Sequence, residues 1–404
     1  MIVAKYACLA IQQLYHVRRQ KGVYTAPLER KTADHPTCER ICALLLNESS
    51  SNSWFSFAEQ GLNAIYIMIE QPDRVCEDLI KKLTSRVFGR QSNTLEKITS
   101  DLERVSINSS DQEVEKNGDV EMEVDENIAI PVKSNNQNHS FALAQLLFLV
   151  GHVAIKQIVH LECIESEWKR RKNSKDKDAS VSQDKGELEM VTGSAEDEFC
   201  ETVAMVREHE LLFGPNSLLS MFGPILVHVL THLPKFRNPI LQIMAGLSMC
   251  KFMCISSTFC EAHLQLLFTI MERSNDPIMR SNLAIGMGDL AICFNSILDE
   301  HIVHLYNRLK DTDFYVKKNA LMVLTFLILN GMIKIKGQIS EMAKCVEDED
   351  LRIRNLAKAF FKELSTKDNA IYNNLPDIIS NLSSIEEDSY KSIVKFLFKF
   401  IVKV

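Results

Sequence analysis

Three pairs of residues have the i, i+4 spacing at which two side chains on one helix face can bind a metal ion. They are His228/His232, Cys38/Cys42 and Cys250/Cys254. The histidine pair lacks the glutamate that a His-Glu-x-x-His zinc site carries at its second position. The cysteines stand among apolar residues, where a thiol behaves as a small hydrophobe. We therefore interpret all three pairs as core or surface residues and predict no metal site.

The patterns that could bind a nucleotide or supply a nucleophile are also weak. Gly286-Met-Gly288 lies inside a helical pattern with no strand before it, so we interpret it as close helix packing and not as a dinucleotide-binding turn. A phosphate-binding Gly-x-x-x-x-Gly-Lys-Ser/Thr loop does not occur in the sequence. No Ser/His/Asp or Cys/His set stands out among 11 histidines and 11 cysteines. The sequence predicts no enzyme, no cofactor and no small-molecule substrate.

The densest positive cluster suggests a different chemistry. It consists of Lys169, Arg170, Arg171, Lys172, Lys175 and Lys177. Such a cluster can neutralise DNA phosphates, can act as a nuclear localisation signal, or can be the solvated end of a helix. The net charge of the chain is −7, so any contact with DNA has to be local. The three interpretations remain open at this point.

Composition indicates the kind of fold that would hold these residues. Glycine and proline number 14 and 10 among 404 residues, about half their usual share, and helices exclude both from their interiors. We predict a soluble, mostly helical chain with short connections. The longest apolar stretch, Phe141 to Ile155, is too short to cross a bilayer, so we expect no membrane contact. An odd number of cysteines without a signal peptide favours a reducing compartment.

Two polar, charged stretches divide the chain. Residues 106–139 contain eight acidic side chains, and residues 169–198 run from the basic cluster into an acidic end. Neither stretch has enough apolar residues to offset the entropy of ordering, so we predict two disordered insertions. Residues 140–168 between them are predicted to form one long buried helix. Residues 1–105 are predicted to form helical hairpins, with helical patterns at Ile2–Arg19, His35–Asn47, Trp54–Gln71 and Val75–Phe88.

Residues 199–404 contain a repeat of 37 residues. The basic residues Arg280, Lys317 and Arg354 are 37 positions apart, and each has an apolar residue before it and a leucine ten residues later. A short polar residue stands six positions before each of them: Ser274, Asp311 and Asp348. A further helical pattern fills each gap. A two-helix unit repeated at this period is the signature of an α-solenoid.

The spacing also predicts roles for these polar residues. A short polar side chain before a helix can accept its free backbone N–H groups and suits its positive dipole end. We therefore expect Ser274, Asp311 and Asp348 to cap the second helix of each repeat. The basic residue can reach the acid of its own or of the next repeat, which predicts a structural ladder of ion pairs. A partly exposed pair contributes only about 0–1 kcal/mol, so apolar burial between repeats must supply most of the stability.

Longer strings resemble one protein family. Asp311–Lys317 and Asp348–Arg354 resemble the HEAT-repeat motif. Condensin complex subunit 1, the HEAT-repeat regulatory subunit of condensin, is similar to this chain at Trp54–Gln60, Gln145–Gln157, Gly214–Ser217, Pro277–Ala291 and Asn369–Ile379. The strings follow the order of that family along nearly the whole chain. Because family members are much longer, we interpret the chain as a fragment or a truncated form.

The resemblance implies a HEAT-type α-solenoid that acts as a non-catalytic scaffold in mitotic chromosome condensation. In that family the solenoid docks on the kleisin subunit near the SMC ATPase heads and contacts DNA and chromatin. Histones are a further candidate partner, because the acidic residues Asp111–Glu126 could attract basic tails; the alternative, which we favour, is that this stretch is a plain solvated linker. The resemblance also implies localisation in the nucleus and on mitotic chromosomes, with a cytoplasmic pool. The alternative is a HEAT adaptor or a transport-receptor-like carrier that binds a protein cargo, since all HEAT solenoids share the same repeat physics.

Overall fold

The computed structural model of the chain is almost entirely helical over the residues that it describes, which confirms the predicted all-α fold. It describes residues 1–15, 19–20, 23–24, 30–89, 132–179, 198–215, 217–334, 337–367, 370–382 and 386–401. The chain divides into two compact units, Met1–Ser256 and Ser257–Val404.

The core of the first unit is built around one long helix. The helices of this unit are α1 (Ile2–Tyr15), α2 (Pro36–Leu46), α3 (Ser53–Met68), α4 (Pro72–Phe88), α5 (Val132–Ala179), α6 (Glu198–Phe213), α7 (Phe222–Thr231) and α8 (Pro239–Met253). A π-helical turn, Val206–Glu210, interrupts α6, and a 3-10 turn, Leu218–Met221, precedes α7. Helices α3, α4 and α8 all pack against α5. Their apolar side chains form the core of this unit.

Helix α1 is shorter than its pattern predicted. It ends at Tyr15, and Arg19–Gln20 (β1) instead pairs in an antiparallel ladder with Val23–Tyr24 (β2). The sequence explains the difference, because Gly22 has a low helix propensity and the valine and tyrosine after it favour strands. This two-residue pairing is the one named sheet in the described part of the chain.

Helix α5 is longer than predicted. The sequence limited it to residues 140–168, between two disordered insertions. In the structure it begins at Val132 and ends at Ala179. The prediction was therefore wrong at both ends, because the helix includes the last residues of 106–139 and the basic part of 169–198.

Ion pairs on the helix surface stabilise the first residues of the C-terminal extension of α5. Lys169 contacts Glu165 at 2.6 Å, and Arg171 contacts Glu167 at 2.9 Å, both at the i, i+4 spacing that stabilises helices. The prediction of disorder counted only apolar residues, so it did not include the stabilisation that these ion pairs give to the helix. The rest of the two predicted insertions lies outside the described residues.

Helix α5 contains a segment, His139–Lys172, that is long and apolar enough to cross a membrane. The sequence analysis underestimated the length of this apolar segment, because it considered only Phe141 to Ile155. In the structure 72% of the apolar window is buried inside the protein. The helix is therefore packed as the core helix of a globular unit.

The second unit is a succession of helical hairpins. Its helices are α9 (Ser257–Arg273), α10 (Pro277–Cys293), α11 (Asn295–Leu298), α12 (Val303–Asn307), α13 (Phe314–Leu329), α14 (Ile339–Lys344), α15 (Leu351–Leu364), α16 (Ala370–Leu382) and α17 (Glu387–Ile401). The 3-10 turns Arg308–Lys310 and Cys345–Glu347 extend α12 and α14. The second helices of successive repeats, α10, α13 and α15, pack on one another in that order. This is the solenoid arrangement that the 37-residue period predicts.

The helix caps lie two residues later than predicted. In the middle repeat Asp313 is the N-cap of α13, and its Oδ1 accepts the N–H of Tyr315 at 2.8 Å. Asp311 instead accepts the N–H of Asp313 at 3.0 Å. The neighbouring repeats do the same, with Asp276 and Asp350 as caps and Ser274 and Asp348 before them. Asp311 and Asp348 thus stabilise the turn before the cap residue. Their carboxylates still have lone pairs that can accept hydrogen bonds from another repeat.

Candidate functional site

The repeat ladder joins the second helices of neighbouring repeats. Arg280 of α10 donates from Nε to Oδ2 of Asp311 and from Nη2 to Oδ1, each at 2.8 Å. Lys317, at the equivalent position of α13, donates from Nζ to Oδ2 of Asp348 at 2.6 Å. Both contacts span 31 residues. Of the two partners that the spacing left open, each basic residue therefore binds the acid of the next repeat.

The Arg280–Asp311 pair is largely withdrawn from water, with side chains 12% and 5% exposed. Burial would raise the pKa of Asp311, but hydrogen bonds from Arg280 and the Asp313 backbone, together with the charges of Arg280 and Arg308, outweigh it, so the pKa of this carboxyl is lowered. The hydrogen bond to Asp311 likewise raises the pKa of Arg280. Breaking a buried pair leaves an uncompensated charge. The small energy expected of an exposed pair therefore does not apply to this one.

Arg354 stands at the third ladder position, on α15. Its Nη1 donates to the backbone carbonyl of Asp348 at 2.7 Å, as Nη1 of Arg280 does to the carbonyl of Ser274 at 2.8 Å. Among the residues that the structure describes, no acidic side chain forms an ion pair with it. In the described residues the ladder therefore consists of two ion pairs, Arg280–Asp311 and Lys317–Asp348.

Two neighbouring helices of the ladder expose large apolar side chains. We name as the apolar face six residues of α10 and α13: Ile278, Ile285, Ile292, Tyr315, Met322 and Phe326. Each is between 41% and 65% exposed. The residues of α10 recur every seven positions, and Tyr315 and Met322 follow Ile278 and Ile285 by one 37-residue repeat. Because α10 and α13 pack side by side, exposed apolar surface continues from one repeat to the next.

Close packing holds the two helices of this face together. A Cβ atom added to Gly288 of α10 would lie 2.6 Å from Cγ1 of Val323 on α13. Nδ2 of Asn319 also donates to Oγ of Ser281 across the same contact at 2.6 Å. The interpretation of the Gly286-Met-Gly288 sequence as a packing feature is thus confirmed for Gly288.

The basic cluster lies along the C-terminal part of α5, where acids of the same helix pair with much of it. Glu167 accepts hydrogen bonds from both Arg170 and Arg171 at 2.9 Å. These bonds lower the pKa of Glu167 to about 2, so the carboxylate remains ionised and offsets part of the positive charge. The two arginine side chains are nevertheless 76% and 74% exposed. They are accessible to an anionic partner.

The lysines of the cluster differ in their surroundings. The hydrogen bond that Lys169 donates to Glu165 raises the pKa of Lys169. The ammonium of Lys172 lies 5.5 Å from the ring centroid of Trp168, whose indole stacks on Phe199 at 4.5 Å. Lys175 and Lys177 are on the same helix, but their side chains lie outside the described residues. The structure therefore places four described cations at one helix end.

The histidine and cysteine pairs do not assemble into a metal centre. The rings of His228 and His232 are 4.5 Å apart at their centroids, and Nδ1 of His232 contacts the carbonyl of His228 at 3.0 Å. Cys38, Cys250 and Cys254 are buried. In the described ranges no group of three or more His, Cys, Asp or Glu side chains could hold a metal ion.

The sequence interpretation missed a polar cluster in the first unit. His152 of α5 contacts Asn63 of α3 at 3.1 Å and Lys251 of α8 at 3.4 Å. Burial, with Lys251 and Lys156 contributing, lowers the pKa of His152 to about 3. Burial also lowers the pKa of Lys251 to about 8. A usable signal was present, because Lys251 is the one charged residue in Pro239–Met253, which is otherwise an apolar helix.

The second unit therefore defines a HEAT-type helical-repeat protein: successive hairpins, a buried ion-pair ladder and an exposed apolar face. Proteins of this class use their extended repeat surfaces to bind other macromolecules. Residues 278–404 match the family described as non-SMC mitotic condensation complex subunit 1 (Cnd1). The match covers the ladder and all six residues of the apolar face.

Relatives with the same name extend the match to the whole chain. Condensin complex subunit 1 of Schizosaccharomyces pombe is 39% identical over 100% of this chain, and that of Saccharomyces cerevisiae is 38% identical over 100%. The human protein of that name is 36% identical over 99%. The resemblance found in the sequence is confirmed: the chain is related to condensin complex subunit 1 along its whole length. It spans 34%, 33% and 28% of these relatives, about a third of their length.

Solved structures of other helical proteins resemble the chain more distantly. A chain from the Pds5–Scc1 complex is 13% identical, with 98% of this chain and 53% of that chain covered and a TM-score of 0.34. A chain of Kap121p is 13% identical, with 99% and 42% covered and a TM-score of 0.21. At these TM-scores the likeness adds nothing to the assignment.

Proposed function

We propose that this chain is part of a condensin non-SMC regulatory subunit and acts as a non-catalytic scaffold in mitotic chromosome condensation. The similarity to condensin complex subunit 1 over the whole chain carries this proposal. The scaffold docks on the kleisin subunit near the SMC ATPase heads and contacts chromatin. It acts in the nucleus and on mitotic chromosomes, with a cytoplasmic pool.

The apolar face is the part of the second unit best suited to dock an extended kleisin segment. Four of its six side chains, Ile278/Tyr315 and Ile285/Met322, are at equivalent positions on α10 and α13, so a chain laid across the two helices meets an apolar contact in each repeat. Contiguous exposed apolar surface of this kind marks interaction sites. Burial of the exposed part of one such side chain contributes at most about 1.5–3 kcal/mol, so contacts along the whole face are needed to offset the cost of association.

Replacing Ile285 and Met322 with glutamate should reduce the affinity for kleisin by about 100-fold. Each substitution removes an apolar contact and places a carboxylate where the partner would desolvate it, at about 1–3 kcal/mol per site. We suggest co-expression with condensin's kleisin and pull-down, followed by titration calorimetry in which purified kleisin is added to the purified chain. Both positions are exposed, so helix content should not change.

Lys362→Glu is the matched control, because this residue is exposed on α15 outside the apolar face. It should leave kleisin affinity within about twofold, as expected of a surface charge outside the buried contact. An Ile285/Met322 variant that binds as the parent does would reject this face. If the parent chain does not bind kleisin while a full-length relative does, docking by this segment alone is rejected.

Reversing the charge of Lys169, Arg170, Arg171 and Lys172 should weaken duplex DNA binding and flatten its salt dependence. The cluster can replace DNA counterions, but Glu165 and Glu167 already offset part of it. We therefore expect the slope of log Kobs against log salt to fall by about 1–3, below the value for four free cations. Reversal of Lys395 and Lys399, exposed on α17, is the control. An unchanged slope in the cluster variant would exclude DNA binding here and leave the helix-end and localisation interpretations.

A further inference from the structure

One acidic residue lies within the apolar face. Asp289 of α10 is exposed and stands four residues after Ile285 and three before Ile292, so the three side chains lie on one side of the helix. Its equivalent one repeat later is Phe326, a member of the apolar face. Helix α10 has one other charged residue, Arg280, which is used in the ladder. An acid thus occupies a position of the face that is aromatic in the next repeat.

Asp289 has no counter-charge in the described ranges, where no cationic side chain forms an ion pair with it. Although the residue is exposed, burial against its neighbours raises the pKa of its carboxyl, and no cation opposes this shift. The backbone beside it approaches α13 closely, because a Cβ atom on Gly288 would lie 2.6 Å from Cγ1 of Val323. A segment that packs on the apolar face therefore covers Asp289 as well, and covering an unpaired carboxylate costs affinity unless the segment supplies a cation.

The opposite side of the same face carries cations. Lys318 of α13 is half-buried and stands three residues after Tyr315 and four before Met322. Arg352 of α15 is exposed at the position equivalent to Tyr315, and its guanidinium carbon lies 4.9 Å from the ring centroid of Phe314. Within the described part of the second unit, neither cation forms an ion pair with an acidic side chain. The apolar face thus has an acid towards one end and two cations towards the other.

The repeat gives the separation of these charges. Lys318 and Arg352 are equivalent to Ser281 and Ile278, which precede Asp289 by 8 and 11 positions on α10. With a rise of about 1.5 Å per residue and about 9 Å between packed helices, Asp289 lies roughly 15 Å from Lys318 and roughly 25 Å from Arg352. An extended chain advances about 3.3 Å per residue. It therefore joins the two charged ends with about five to eight residues.

We propose that the apolar face binds an extended protein segment of defined charge pattern. The segment has a lysine or arginine that pairs with Asp289 and an acidic residue about five to eight positions away that pairs with Lys318 or Arg352. Apolar residues between them pack on Ile285 and Met322. The inference rests on the proposed function, under which this segment belongs to the kleisin subunit. The apolar contacts supply most of the affinity, and the charges at both ends determine the register and the orientation of the segment.

The test adds purified kleisin to the full chain and measures affinity by titration calorimetry. Asp289→Lys should lower the affinity by about tenfold or more, because it places two cations against each other in the covered contact. Glu261→Lys is the matched control, since it makes the same change of charge at an exposed residue of α9 outside the apolar face. It should leave the affinity within about threefold. Asp289→Asn removes the charge with little change of shape and should cost severalfold, and hydrogen exchange on α10 and α13 checks that each variant is folded.

A rescue experiment tests the complementary charge. Hydrogen exchange on kleisin in the complex identifies the protected segment, whose lysine or arginine is then replaced with glutamate. This kleisin variant should bind the parent chain weakly and bind Asp289→Lys more tightly than the parent kleisin does. A protected segment without a lysine or arginine would overturn the proposal.

The outcomes separate this inference from the proposed function. If both Asp289 variants bind kleisin as the parent does while the Ile285/Met322 glutamate variant loses binding, the face binds kleisin and the charge pattern is rejected. If the Ile285/Met322 variant also binds as the parent does, or if the parent chain binds no kleisin, docking on this face and the charge pattern fail together.

Discussion

Replacing Asp311 with alanine should destabilise the second unit by about 3–5 kcal/mol, the range found when one partner of a buried ion pair is removed. The guanidinium of Arg280 is 12% exposed and would lose both of its 2.8 Å contacts to a carboxylate. The backbone N–H of Asp313 would lose its acceptor in the same step. The change therefore affects the ion pair between α10 and α13 and the turn that starts α13.

Hydrogen exchange at increasing urea, followed on peptides from α10 and α13, measures this loss in the intact chain. Asp348→Ala is the matched control. Its partner Lys317 is 23% exposed and makes one contact to the acid, so a cost of about 1–2 kcal/mol is expected. Replacing Arg280 with methionine and Asp311 with leucine together should cost less than the sum of the single changes, because the Arg280 charge is no longer left unpaired, and the remaining loss falls on Arg308 and the Asp313 N–H, which both contact Asp311. A small loss in Asp311→Ala, or strict additivity in the double variant, would contradict the buried-pair account.

The ladder shows which part of a repeat the sequence can predict. A fixed period of 37 residues places Arg280, Lys317 and Arg354 at equivalent positions, so the spacing predicts a ladder; Arg280 and Lys317 form its ion pairs, whereas Arg354 pairs with no acidic side chain among the described residues. The choice of cap does not follow, because Asp311 and Asp313 both stand before α13 and either can accept backbone N–H groups. The first residue with helical φ and ψ angles determines which of the two aspartates is the N-cap. In the structure that residue is Phe314, so the cap is Asp313. That point depends on how α13 packs on α10.

The charged helix end was mispredicted for a related reason. Composition assigned residues 169–198 to a disordered insertion, since few of them can enter a core. Lys169 and Arg171 nevertheless find acids one turn earlier on the same helix, and α5 continues to Ala179. Local ion pairs of this kind can extend a helix whose first half is already fixed by packing. An isolated peptide of the same composition would first have to form the unfavourable helix nucleus.

The apolar face and Lys251 depend on tertiary packing, which spacing does not specify. Helix α10 is apolar on most sides, so its sequence gives no sign that Ile278, Ile285 and Ile292 are exposed while their neighbours are buried. For Lys251 the opposite holds, because a lone charge in an apolar helix is visible in the sequence. Its contact with His152 is not visible, since 99 residues separate the two.

Replacing Gly151 with valine should destabilise the first unit by about 3 kcal/mol. A Cβ atom at this position would lie 2.5 Å from Oγ, 2.7 Å from Cβ and 2.9 Å from Cα of Ser248. Oγ of Ser248 also donates to the carbonyl of Leu147 at 2.8 Å, which fixes the serine against α5. Relief of the clash requires α8 to move away from α5, and the buried residues of both helices would lose contact.

A graded series distinguishes this steric account from a change in helix propensity. Gly151→Ala should cost about 1–2 kcal/mol, because the clash outweighs the roughly 1 kcal/mol that alanine gains over glycine within a helix. Adding Ser248→Gly removes two of the three atoms in the clash and should recover part of that loss. Hydrogen exchange on peptides from α5 and α8 reports each step. If Gly151→Ala instead stabilises the first unit, the gain in helix propensity outweighs any clash. That result would contradict the steric account, in which the added Cβ atom lies 2.9 Å from Cα of Ser248.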